Sequence, residues 1–158
     1  MKYLDIIQKI HTIASILIML FALMGCSVSM YLPQIGQVLP NKIKEGSFKG
    51  YCIISPADMD KIYEIKVDSV EFEVAIDEKS RIKYIQTYNE TFITDDGIKV
   101  GMTYEQVQKI SKDIRTLIGW AYCIPLPSGW NAAFTVGSSM TEHFPDKDAQ
   151  VKFLFRWE

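Results

Sequence analysis

The chain has 158 residues, 48% hydrophobic and 23% charged, with a formal net charge of −2. That is enough for one globular domain and an export signal. An acidic balance without any Lys/Arg run excludes the electrostatic footprint of a nucleic-acid binder. With only His11 and His143 present, a multi-histidine metal centre is excluded and a hydrolase triad is disfavoured.

Lys2 and Lys9 against Asp5 leave the first 25 residues weakly positive. From Thr12 to Asn41 there is no charge, but the strongly apolar part, Ile13 to Met24, runs for only about 12 residues. A bilayer-spanning helix needs about 20, whereas a signal-peptide core needs about 7–15. Leu23-Met24-Gly25-Cys26 comes next and resembles the bacterial lipobox, with an aliphatic residue at −3, a small one at −1 and the cysteine at +1. The resemblance implies that residues 1–25 are a lipoprotein signal peptide and that Cys26 becomes the acylated (palmitate-bearing) first residue. The protein is then held by lipid on a membrane of the cell envelope. Ser27 is not the aspartate that retains lipoproteins at the inner membrane, so the periplasmic side of the outer membrane is expected where one exists. The alternative is an uncleaved transmembrane anchor from Thr12 to about Leu32, stopped by Pro33.

Residues 26–48 hold Pro33, Gly36, Pro40 and Gly46 without sustained periodicity, and are expected to be a flexible tether spanning roughly 25 Å. A single domain is expected over 49–158. With Cys26 lipidated, Cys52 ("GYCIIS") and Cys123 ("WAYCIPL") are an even pair in an oxidising compartment. A disulfide between them closes a loop of about 70 residues, worth about 4 kcal/mol in the chain-entropy model. Two buried thiols acting as small hydrophobes are the alternative.

Alternation dominates the expected domain. Tyr63, Ile65 and Val67 oppose Glu64 and Lys66; Val70, Phe72, Val74 and Ile76 oppose Glu71 and Glu73. "DEKS" (77–80) is a polar turn, and "RIKYIQTY" returns as the hairpin partner. "GMTYEQVQKISKDIRTL" is the one helical pattern, expected over about 103–115. Thr103 as N-cap and Gln106 form a capping box, and Tyr104, Val107, Ile110 and Ile114 form an apolar stripe. Further strands are expected in "LIGWAYCIPL", "WNAAFTV" and "VKFLFRW", with a polar loop over 137–148. The expected fold is α+β: a mostly antiparallel sheet with one main helix packed on it.

Gly101-Met102-Thr103-x-x-Gln106-Val107 resembles the GMT-x-x-Q-V signature of the BamE/SmpA/OmlA lipoproteins. That resemblance implies an α+β fold of sheet against helices, and a lipid-anchored protein that assists outer-membrane assembly. In that family the signature lies soon after the lipidated cysteine; here about four strand-like segments precede it.

Patterns that imitate chemistry have plainer readings. Ser80-x-x-Lys83 lies at a hairpin turn rather than a helix start, without its companion motifs. Glu71 and Glu73 sit on the polar side of an alternating strand. His143 is in a polar loop, and the acidic residues lack calcium-loop spacing. The Pro127-Ser128-Gly129-Trp130 turn presents a large aromatic, so Pro127 and Trp130 are the candidate partner-binding residues, while core packing is the alternative for the C-terminal aromatics to which Trp130 belongs. The expectation is a non-catalytic envelope lipoprotein, without cofactor or metal, that binds another envelope protein. An inhibitor or immunity lipoprotein acting on a secreted enzyme or toxin, and an envelope enzyme, are the alternatives.

Overall fold

The computed structural model describes residues 32–55, 58–117, 120–134 and 144–158. The chain divides into Met1–Met30 and Tyr31–Glu158, and the fold described is that of the second unit. The leader, Cys26 and His143 lie outside the described residues.

Among the described residues, eight strands form one antiparallel sheet, curled into a half-barrel. They are β1 (Phe48–Ser55), β2 (Asp58–Val67), β3 (Val70–Ile76), β4 (Ile82–Thr87), β5 (Arg115–Leu117), β6 (Ala121–Pro125), β7 (Asn131–Phe134) and β8 (Phe153–Trp157). Their spatial order is β1-β2-β3-β4-β8-β7-β6-β5. Two meanders, β1–β4 and β5–β7, are thus joined by the C-terminal strand. β1 and β5 are the edges.

Local chemistry sets the turns. Asp68 and Ser69 both have positive φ, 48° and 77°, the mirror-image geometry that a two-residue hairpin between right-twisted strands requires. Val67 therefore pairs Val70, and Lys66 opposes Glu71, with Nζ 3.2 Å from the carboxylate. At the next turn the Asp77 carboxylate accepts from the Lys79 and Arg81 backbone N–H groups, both at 2.8 Å, and from Arg81 Nε at 2.9 Å. Donation to the charged form, led by the Arg81 N–H, holds the Asp77 carboxyl below its usual range.

Each face of the sheet carries its own core. On the first, Phe72, Val74, Ile85, Ile124, Phe134 and Leu154 are buried with Phe92, Ile98 and Val107 from the 88–114 excursion. On the second, Tyr84, Trp120, Phe153 and Phe155 pack with Ala121, Cys123 and Ala133. β6 and β7 are covered on both faces, which is why their sequences run apolar instead of alternating.

Two expectations change. The helix reaches only from Tyr104 to Val107, called α2 here, against the expected 103–115. Its capping box is present, and Tyr104 and Val107 are buried, but Ile110 is exposed. Beyond it Ser111, Asp113, Ile114 and Thr116 are poor helix formers, and Arg115–Leu117 pairs with β6 instead. Edge pairing wins, and the fold is mainly β. The second change concerns the tether. Residues 32–47 fold back on the sheet: Gly36 N–H donates to Ile82 O at 2.7 Å and Leu39 N–H to Ser80 O at 2.8 Å. Leu39 is buried in the first core, and a short helix, α1 (Asn41–Ser47), leads directly into β1.

Candidate functional site

β1 is the longer edge, eight residues against three in β5. Its sequence, Phe-Lys-Gly-Tyr-Cys-Ile-Ile-Ser, carries one charge. Pairing with β2 sets Phe48 against Tyr63, Tyr51 against Lys61 and Ile53 against Met59. A register shift between Phe48 and Gly50 keeps Phe48 and Tyr51 on one face, where their rings meet edge-on at 6.0 Å. Phe48, Tyr51, Ile53 and Met59 are 54, 62, 49 and 65% exposed. Four large apolar side chains open to water on one hairpin face form a patch rather than the scattered residues any surface shows.

The other face of the same hairpin is polar and closed on itself. Lys49 Nζ lies 2.6 Å from Glu73 and 3.1 Å from Glu64. Glu73 also accepts from Gln86 Nε2. Gln86 is 1% exposed; its Oε1 accepts from Tyr84 Oη at 2.7 Å, and its Nε2 reaches Cys52 Sγ at 3.5 Å. Lys49, Cys52, Ile62, Glu73, Gln86 and Tyr88 line an open depression of about 220 Å³. Hydrogen bonding to Glu73, then Glu64, raises the Lys49 ammonium above its usual range. Burial raises the Cys52 thiol and the Tyr84 phenol. Lys49 therefore stays charged, while Cys52 and Tyr84 stay protonated at neutral pH. Such a network holds protons in place, and a protonated thiol is a poor nucleophile.

Other sequence candidates fall elsewhere. Cys52 and Cys123 are both free thiols, so the expected disulfide is not formed. Cys52 is on the edge strand β1 and Cys123 on β6 near the other edge, and both pack against the second core. Burial pushes the Cys123 thiol up to about 11. Pro127 is exposed at its turn, but Trp130 is not: it is 5% exposed, with its ring 5.0 Å from Phe92 and 6.5 Å from Phe72. Arg156 covers its outer side at 5.5 Å. The surface-anchor expectation for Trp130 is corrected: that ring is core.

Lys83 is tied to Asp60 at 2.5 Å, and Ser80 accepts from Lys44 Nζ at 2.6 Å, so the Ser80/Lys83 pattern is a pair of separate surface contacts. Glu71 takes Lys66, whereas Glu73 is drawn into the Lys49–Gln86 network. Asp96 is held by the Ser128 N–H and hydroxyl. Among the described residues no group of three or more His, Cys, Asp or Glu is placed to hold a metal ion.

Sequence reasoning read "GYCIIS" for its cysteine and missed its edge. The available signal was an apolar run whose only nearby charge is Lys49. Comparison of the chain with protein-family models, with curated proteins and with solved structures found no match.

Proposed function

We propose that the protein is a lipid-anchored component of a bacterial envelope that works by binding another protein, and that β1 is its docking strand. The observation that carries this reading is the β1 edge, which leaves Phe48, Tyr51 and Ile53 exposed. An edge offers a row of backbone donors and acceptors to an added strand, while alternate side chains give that strand its specificity. The lipid anchor is supported by the Leu23-Met24-Gly25-Cys26 stretch. The narrower reading, an assembly role like that of the BamE family, is supported by Gly101-Met102-Thr103-x-x-Gln106-Val107 with its formed capping box.

Two measurements test the two halves. Mass spectrometry of the mature protein reads an acylated Cys26 at the N-terminus; an unmodified Cys26, or an intact Met1 peptide, removes the anchor. A photoreactive residue in place of Tyr51 gives discrete crosslinked adducts in cells, and the same residue at Ile93, exposed on the 88–114 excursion, does not. No adduct from position 51 removes the docking strand.

A further inference from the structure

We propose that the strand added to β1 is β1 of a second copy of this chain, running antiparallel about a two-fold axis at Cys52. The inference deepens the docking-strand reading above and rests on it.

Three features of the edge point to its own copy. The first is that the regular stretch of β1 between its two register shifts, Gly50–Ile53, carries no charge to turn a second strand away. A charged side chain, most often lysine, usually discourages a second strand. Here the single candidate, Lys49, is turned back onto Glu64 and Glu73, so its charge is neutralised within its own molecule. The opposite edge, β5, is protected simply by having three residues.

The second feature is register. Two antiparallel copies that extend one sheet keep their faces aligned, so the axis must pass through a residue rather than between two. An axis at Cys52 sets Tyr51 opposite Ile53 of the second copy, and Ile53 opposite its Tyr51. Both are exposed on one face in the single chain. Aromatic and β-branched residues directly opposite are a favourable cross-strand pair, and the symmetry makes it twice. Between the two register shifts the paired residues, Gly50 to Ile53, carry no charge, so no like charges meet there. An axis one residue earlier, at Tyr51, instead places Ile53 opposite Lys49 and loses both apolar pairs.

The third feature is Cys52 itself. It is half-buried on the polar face, and the proposed axis brings it opposite Cys52 of the second copy. Directly opposed residues of an antiparallel pair have Cα atoms about 4.5–5.5 Å apart. That lies inside the range a disulfide spans. The thiol thereby becomes a reporter of register, whatever its state in the cell.

The experiment uses the full-length protein in density-matched detergent, by sedimentation equilibrium across micromolar concentrations. The expected particle has twice the mass of one chain. Ile53→Lys is a surface change, expected to keep the far-UV circular dichroism of the wild type while weakening dimerisation about tenfold or more, as loss of a central interface residue does. Oxidation with copper phenanthroline then reads the axis: wild type and Cys123→Ser give a disulfide-linked dimer, and Cys52→Ser does not. A wild type that stays monomeric overturns the inference; so does a dimer that Ile53→Lys leaves intact, or a crosslink that survives Cys52→Ser. A monomeric protein that still yields adducts to other proteins from position 51 keeps the docking strand and loses the self-pairing. A monomer with no adduct loses both.

Discussion

Trp130 lies just after a turn that sends its ring inward. Gly129 takes φ 83°, a conformation a side chain resists, and a Cβ there meets the Arg156 guanidinium at 3.0 Å. Asp96 pins the preceding Ser128, and Leu126 N–H donates to Trp130 O at 2.8 Å. The ring is then enclosed by Phe72, Phe92 and Arg156. Trp130→Ala is expected to cost about 3–5 kcal/mol, as truncation of a buried aromatic does, measured by urea denaturation. A loss below about 1 kcal/mol returns the ring to the surface. Cys123 gives a second residue-scale test, through pH. Its folded value of about 11 lies above the ordinary 9.0 of a thiol, because burial disfavours the thiolate. The folded state thus holds the proton more tightly than the unfolded one. The contribution is whole below pH 9 and is lost as pH rises through about 11, by roughly 2–3 kcal/mol. The stability difference between wild type and Cys123→Ala should shift by that amount between pH 8.5 and 11. A flat difference means the thiol is not buried. Both fates were readings the sequence left open: "PSGW" spells a turn but not which way its last ring points, and buried thiols were the alternative to a disulfide, which only the place of Cys123 in the second core decides.

At the scale of elements, local chemistry was readable and competition between elements was not. The Thr103–Gln106 capping box exists as read: Thr103 N–H donates to Gln106 Oε1 at 2.9 Å, and Gln106 N–H to Thr103 Oγ1 at 3.3 Å. Thr103→Ala is expected to cost about 1 kcal/mol. Val107→Asp, placing a charge at a fully enclosed site of the first core, is expected to unfold the domain at room temperature. Thermal melts check both, and wild-type behaviour in the second variant refutes the packing of α2. The helix nevertheless stops at Val107, because the stripe residues Ile110 and Ile114 are as good in extended chain as in helix, and β6 offers a partner. Propensity was nearly balanced, and a long-range contact decided. The alternating strands β2 and β3 were legible because each shows one face to a core and the other to charges. β6 and β7, buried on both faces, carry no alternation to read. The β1 edge was illegible for a further reason: it depends on β8 inserting between β4 and β7 instead of closing against β1.

For the whole molecule, the consequential change is where folding begins. Residues 32–47 look like a tether because Pro33, Gly36, Pro40 and Gly46 break every periodicity. Yet Ile35 and Leu39 are two apolar residues that the first core takes in, and Val38 forms a bridge with Arg81. Irregular sequence is compatible with irregular structure packed against a sheet as well as with free chain, and only burial tells them apart. The location of the boundary has its own test. Were 32–47 a tether, Leu39→Ala would leave stability untouched. With Leu39 in the core beside the β3–β4 turn, the substitution opens a cavity and is expected to cost about 2–4 kcal/mol. Urea denaturation should show a lower midpoint at unchanged slope. Lys42→Ala, at an exposed position of α1, serves as the neighbouring control and is expected to change stability by less than about 0.5 kcal/mol. If the two variants prove indistinguishable, residues 32–47 revert to a spacer.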